Sequence, residues 1–375
     1  MKFNQHKQQL RIIIAGGGTG GHIFPAIAVA QALQAIAPDT AILFVGAAGK
    51  MEMEKVPQAG YEIKGLTIAG LNRSNMLKNL TLPFKLVKSF FQVRSIFNSF
   101  KPNAVFGVGG YSSFPVLKFA QSKGIPTFIH ESNAFAGKSN IWLGKQATKI
   151  FTGTKGMEQF FPKDKIVVTG NPVRKNISIS NYTKESALMQ FGLLPERKTL
   201  LIVGGSLGAN SINDAILNNL SNFAEQKIQL IWQTGKSQAT KYANAAKSFS
   251  NVYVNSFLDD MSAAYTAADL VVSRAGAMSV AEIALTAKPC VFVPYPFAAE
   301  DHQTFNAKNL VDEGAAFMIK DSMVQENLGP LVIDAIHQAG ILETMHHKIQ
   351  AFAVSNADTV IAEHIFSSVN LSKNF

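Results

Sequence analysis

Two segments of this chain, 188 residues apart, share one design: a short apolar run that passes directly into a glycine-rich loop. Arg11-Ile-Ile-Ile-Ala-Gly-Gly-Gly-Thr-Gly-Gly21 aligns without a gap on Thr199-Leu-Leu-Ile-Val-Gly-Gly-Ser-Leu-Gly-Ala209. Each loop is followed by a helical pattern, so each segment reads as the start of a βα unit, and the spacing suits a tandem pair of similar domains. Glycines let backbone approach a ligand closely, and the helix start that follows offers N–H groups and a positive dipole end to a phosphate or sugar oxygen.

The rest of the chain supports that reading. Its 375 residues exceed what one hydrophobic core usually holds. Strands are expected at Arg11–Ala15, Ala41–Val45, Ala104–Val108, Thr127–His130, Ile150–Thr152 and Ile166–Val168, then at Thr199–Val203, Gln229–Gln233, Val252–Val254, Leu270–Ser273 and Val291–Pro294. Helical segments alternate with them, which predicts an α/β chain of two Rossmann-like domains whose parallel sheets face a central cleft. The Asn-Pro and polar text around Gly170–Thr183 marks the boundary, giving domains 1–175 and 176–375, with the last helical segment expected to pack back on the first domain.

Charge divides along the same line. Residues 1–180 hold 22 Lys/Arg against 7 Asp/Glu, and residues 181–375 hold 13 against 18, so the net charge of +10 belongs to the first half. Nine Lys/Arg and no acid lie between Glu62 and Glu131, which favours phosphate-rich partners and leaves nucleic acid and an anionic membrane both open. Met1–Arg11 and the short apolar run after it do not make a signal peptide, no run is long enough to span a bilayer, and the lone Cys290 fits a reducing compartment; the expected location is cytosolic.

The first loop formally contains G-x-G-x-x-G at Gly16, Gly18 and Gly21. A dinucleotide site also needs an acid near the end of the second strand, where the nearest carboxylate is Glu52, already in the next helix. A dehydrogenase is therefore disfavoured, and a P-loop is excluded because no Gly-Lys-Ser/Thr follows. A third glycine loop, Gly107–Ser113, points to a phosphate-handling cleft at one sheet edge. The eight histidines show no ligand spacing backed by Cys or paired acids, so no metal is expected, and no cofactor.

GGGTGGH at 16–22, HESNA at 130–134, GNPVR at 170–174, GGSLGA at 204–209, SRAGAMSVAE at 273–282 and PFAAEDHQTFNA at 296–307 occur in order over nearly the whole chain. Together they resemble the MurG-type bacterial N-acetylglucosaminyltransferases of peptidoglycan synthesis. The resemblance implies a GT-B glycosyltransferase that moves N-acetylglucosamine from UDP-N-acetylglucosamine to the muramyl sugar of undecaprenyl-linked lipid I. The product would be lipid II, formed with inversion. It further implies action at the cytoplasmic face of the inner membrane, as a peripheral protein, with other cell-wall synthesis proteins as partners.

On the residues themselves, inverting transfer needs a base for the attacking hydroxyl, and His22 has the chemistry for it; its bland alternative is a loop histidine. Glu282 can accept bonds from two vicinal ribose hydroxyls, a role the matching glutamate has in the family, while Ser206 and Arg174 suit the diphosphate. Gln303 and Asn133 can both donate and accept, which suits a sugar and its acetamido group. The resemblance adds Thr19, Gly20 and Gly21 as UDP-N-acetylglucosamine-binding residues near the reacting centre, and Leu258 with Ala277, Met278, Ser279, Val280 and Ala281 as a wall for the uracil and ribose. Some relatives carry a second glutamine after the first, where this chain has Thr304, and that departure touches the finer sugar contacts.

In the stretch Leu71–Phe100, Leu77, Leu80 and Phe84 stand among Lys78, Lys85 and Lys88 without an acid. Part of it must face its own core, but apolar residues ringed by cations favour an anionic membrane surface. It lacks a nucleic-acid module, so no nucleic-acid partner is expected. A transferase for another lipid acceptor such as diacylglycerol, a UDP-sugar epimerase and a non-catalytic nucleotide-sugar sensor are the alternatives, and an epimerase has no need of this segment.

Overall fold

The computed structural model describes residues 9–68, 82–178, 180–205 and 208–371. The chain divides into two compact units, one formed by Met1–Pro172 with Asn356–Phe375, the other by Val173–Ser355.

The first unit is a parallel sheet of β1 (Arg11–Ala15), β2 (Ala41–Ala47), β3 (Glu62–Leu66), β4 (Ala104–Gly107), β5 (Thr127–Glu131), β6 (Lys149–Thr152) and β7 (Ile166–Val168), in the order β3-β2-β1-β4-β5-β6-β7. Helices α1 (Gly20–Ile36), α2 (Glu52–Gln58) and α3 (Leu82–Phe100) are among its crossovers. Successive residues of β1 serve opposite faces: Ile12 and Ile14 join one core layer, Ile13 and Ala15 the other, as the period of two in a strand dictates. All four are fully buried, so each Ile→Ala change there costs roughly 2–5 kcal/mol. The helix Ala357–Leu371 adds Ile361, Ala362, Ile365 and Val369 to the layer that also holds Val29, Ala30 and Leu33 of α1.

The second unit repeats the plan with β8 (Thr199–Val203), β9 (Gln229–Gln233), β10 (Val252–Asn255), β11 (Leu270–Ser273), β12 (Cys290–Phe292) and β13 (Phe317–Met318), ordered β10-β9-β8-β11-β12-β13. Among the described residues every strand pairing in both sheets is parallel, with β1 beside β4 and β8 beside β11. These are the points where strand order reverses and crossovers leave to opposite faces, which opens a crevice at the carboxyl ends of the strands. The glycine loops after β1 and β8 open onto those crevices. The two sheets thus bear out two Rossmann-like domains.

Two strands are absent from the sequence reading. β3 reads Glu-Ile-Lys-Gly-Leu, an edge strand with polar residues on one face and a glycine, and β13 has two residues. Neither has the β-branched apolar run that marks a buried central strand.

Candidate functional site

In the first unit, the loop after β1 is locked to its neighbours by close backbone approach. Gly16, Gly17 and Gly18 all have positive φ, and the Gly17 N–H donates to the Gly109 carbonyl at 3.3 Å, joining the loops after β1 and β4. Gly17 is required on two counts, because a Cβ there would also strike the carboxylate of Glu52. That side chain, 1% exposed, accepts from the Gly18 N–H and the Ala47 N–H, each at 2.9 Å. Glu52, which in a dinucleotide site would be asked to reach a ribose, instead turns inward and organises the loop.

Thr19 is the N-cap residue of α1, and Gly20, Gly21 and His22 form its first turn. The His22 Nδ1 lies 3.1 Å from the Gly17 carbonyl oxygen and 3.3 Å from the Thr19 hydroxyl. A carbonyl can only accept, so Nδ1 carries the proton and Nε2 the lone pair. The ring lies against the Gly109 backbone, where a Cβ would come 3.0 Å from Nε2.

Beside it the HESNA segment folds around a second buried carboxylate. Glu131 accepts from the N–H groups of Asn133 (3.1 Å) and Gly137 (3.0 Å) and from the side-chain amides of Asn133 (3.2 Å) and Asn140 (2.9 Å). Asn133 is therefore oriented rather than loose. His130 is buried, its Nε2 has no hydrogen-bond partner among the described residues, and its pKa is lowered to about 4. Burial is the main cause, aided by the nearby His22 and opposed by a backbone bond to Gly170.

The second unit gathers the other predicted residues. Arg174 Nη2 and Glu282 Oε1 stand 3.7 Å apart, with side chains 28% and 14% exposed, and the Tyr265 hydroxyl donates to Glu282 Oε2 at 3.3 Å. Burial raises the Glu282 pKa against the lowering pull of Arg174 and the Tyr265 bond. Glu282 lies on the helix Ala277–Leu285, capped by Gly276, with no acidic residue in its first turn. The N–H groups of that turn, among them those of Met278 and Ser279, present a positive helix end, while Val280 and Ala281 are half-buried on its wall. Leu258 is buried and its N–H donates to Gln233 Oε1 at 3.0 Å, while Gln233 Nε2 donates to the Gly205 carbonyl at 3.2 Å. One buried glutamine thus ties the second glycine loop to the Leu258 segment.

Gln303 sits in the first turn of the helix His302–Asp312 and accepts from the Tyr295 N–H at 2.9 Å. Just before it, Glu300 and Asp301 both adopt positive φ, an arrangement non-glycine residues sustain only when their surroundings impose it. Thr304, at the position of the departure, donates to the Asp301 carboxylate at 2.8 Å and so supports this turn. Arg274 bonds to the carbonyls of Val293 and Pro294 at 3.2 Å each, to the Asp321 carboxylate and to Ser211, and holds the loops after β11 and β12 together.

Ser206, Leu77, Lys78 and Leu80 lie outside the described residues, as does the side chain of Lys85. Phe84 and Lys88 are exposed on α3. No group of metal-ligating side chains occurs among the described residues, and none of their helices is long and apolar enough to cross a membrane. Sequence reasoning missed Glu52, Glu131, Gln233 and Arg274 as organisers. The signal for the first was present, a carboxylate just past the second strand, but its direction is a property of the fold.

The chain matches the glycosyltransferase family 28 N-terminal domain over residues 12–152 and the family 28 C-terminal domain over 199–361. It is 48% identical to the UDP-N-acetylglucosamine--N-acetylmuramyl-(pentapeptide) pyrophosphoryl-undecaprenol N-acetylglucosamine transferase of Phocaeicola vulgatus, over 96% of each chain. The enzyme of the same name from Bacteroides fragilis is 47% identical over 95% of each. Among solved structures, Acinetobacter baumannii MurG superimposes with a TM-score of 0.74 at 31% identity, covering 96% of this chain and 99% of that one. A Staphylococcus aureus MnaA structure with UDP, at 16% identity and a TM-score of 0.71, shares the fold. Two family domains in order and relatives aligned nearly end to end lead to one conclusion: the chain belongs to glycosyltransferase family 28, among its MurG-type N-acetylglucosamine transferases.

Proposed function

We propose that this chain transfers N-acetylglucosamine from UDP-N-acetylglucosamine to the 4-hydroxyl of the muramyl sugar of undecaprenyl-pyrophosphoryl-MurNAc-pentapeptide, giving lipid II and UDP with inversion. Membership of the family supports the reaction, and one observation supports the chemistry assigned to the first unit: the Nδ1 bond of His22 to Gly17, which leaves Nε2 as an acceptor. In this reading Nε2 removes the proton from the attacking hydroxyl as its oxygen bonds to C1 of the donor sugar. The C1–O bond to the diphosphate breaks, and UDP leaves with the electron pair. Thr19, Gly20, Gly21 and Asn133 line the reacting end.

The second unit takes the donor. Glu282 accepts the ribose hydroxyls, Arg174 and the N–H groups at the start of the helix Ala277–Leu285 meet the diphosphate, and Gln303 meets the sugar. The Leu258 segment lies against the uracil. His22→Ala tests the assignment of the base: turnover is expected to fall about 10²–10⁴-fold, and full turnover in a folded variant removes His22 from that role.

The protein works at the cytoplasmic face of the membrane that carries its lipid-linked acceptor. Phe84, Val87 and Phe91 recur at helical spacing on α3, 79%, 57% and 69% exposed, beside the exposed cations Lys88 and Arg94. Such a face inserts shallowly into an anionic surface while its cations meet lipid phosphates.

A further inference from the structure

We propose that Glu52 is a positioning residue for the transfer reaction, acting on His22 through the peptide group between Gly17 and Gly18. This inference rests on the reading of His22 as the base.

The N–H of Gly18 and the C=O of Gly17 are the two ends of one planar peptide. The N–H donates to Glu52 Oε2 at 2.9 Å, and the C=O accepts from His22 Nδ1 at 3.1 Å. Carboxylate, peptide and imidazole are therefore in series, a carboxylate–histidine pair with one amide inserted. Each bond polarises the next, so negative charge on Glu52 makes the Gly17 oxygen a better acceptor and Nε2 a stronger base.

The burial of Glu52 supports the role. A carboxylate 1% exposed is costly to hold ionised unless it is hydrogen-bonded. No Lys or Arg pairs with it among the described residues; its two oxygens rest on backbone N–H groups, of Gly18 and of Ala47. The wall around it is made of glycine, since a Cβ at Gly17 would meet the carboxylate and one at Gly46 would come 2.5 Å from Glu52 Cγ. The chain gives up side chains at two positions to seat this one charge against the loop.

His22 has need of it. It lies in the first turn of α1, where the helix dipole opposes a positive imidazolium. His130 on β5, which His22 faces closely enough to lower its pKa, is buried and supplies no counter-charge. When His22 takes the proton of the acceptor hydroxyl, Glu52 is the anion joined to the new cation by continuous hydrogen bonds.

The test uses the full chain with 15N-labelled histidine and the variant Glu52→Gln. In the wild type the two-bond coupling pattern of His22 is expected to show the Nδ1–H tautomer; the Nε2–H tautomer overturns the proposal with no variant needed. In Glu52→Gln the His22 pKa and the acid limb of kcat/KM are expected to move down by about 0.5–1 pH unit. At neutral pH, kcat is expected to fall about tenfold while the KM for UDP-N-acetylglucosamine stays within about twofold. A merely structural role would not move the imidazole titration, and a folded Glu52→Gln variant with unchanged His22 tautomer and pKa overturns the proposal. Where Glu52→Gln does not fold, Glu52→Asp takes its place, with shifts of the same sign expected and their absence counting against the idea. If His22→Ala keeps full turnover, the base assignment fails, and the imidazole titration still reports whether the relay exists.

Discussion

Arg174 and Glu282, 108 residues apart in sequence, face each other across 3.7 Å in the second unit, with Tyr265 closing on the other carboxylate oxygen. Each is predicted to hold a different part of one ligand, the diphosphate and the ribose. Their contact holds the two side chains side by side.

Glu282→Gln keeps the shape but halves the acceptor capacity. The KM for UDP-N-acetylglucosamine is expected to rise about 10- to 100-fold, as for the loss of a hydrogen bond to a charged group, with a smaller change in kcat. Because burial raises the Glu282 pKa, donor affinity in the wild type is expected to weaken on acidification at a higher pH than an ordinary carboxylate would allow. Unchanged donor affinity in Glu282→Gln counts against the ribose assignment.

The two glycine loops, most of the strands and the order of the motifs are legible in the sequence because they rest on local patterns: apolar runs, glycines where chain meets chain, and helix starts. What joins the motifs is not local. Glu52 and Gln233 are ordinary residues whose importance lies in reaching Gly18 and Gly205, contacts set by strand order. His130 stands inside a recognised motif, yet its hydrogen bond reaches the backbone of Gly170, in another motif. The two edge strands escape notice because sheet edges tolerate polar and short sequences.

His130 makes stability depend on pH. Its folded pKa of about 4 lies below the ordinary 6.5, so between those values the unfolded chain binds a proton that the folded chain refuses. Stability is therefore expected to fall as pH drops from about 6.5 to about 4, by on the order of 3 kcal/mol in full. His130→Gln removes this titration, and its denaturant-unfolding midpoint should vary less with pH across that window. Parallel curves for the two proteins contradict the assignment.

The exposed face of α3 predicts salt-sensitive membrane binding. Phe84→Ser with Phe91→Ser is expected to lower partition to anionic vesicles at least about tenfold, from the apolar area withdrawn, and neutral vesicles should bind the wild type more weakly. Equal binding by the double variant places membrane contact elsewhere.

Arg174 and the N–H groups at the start of the helix Ala277–Leu285 are assigned the task of countering the leaving diphosphate. Turnover is accordingly expected to survive EDTA, whereas Arg174→Ala should lower kcat/KM about 10- to 100-fold. Complete loss of activity in EDTA, restored by Mg²⁺, would show that a metal performs this task.

The central claim is tested most directly by incubating the folded protein with labelled UDP-N-acetylglucosamine and a lipid I analogue and analysing the products. The expected result is label on the muramyl 4-hydroxyl in a linkage inverted at C1, with one UDP released per sugar transferred. Donor binding without transfer, or an epimerised sugar nucleotide as the product, would contradict it.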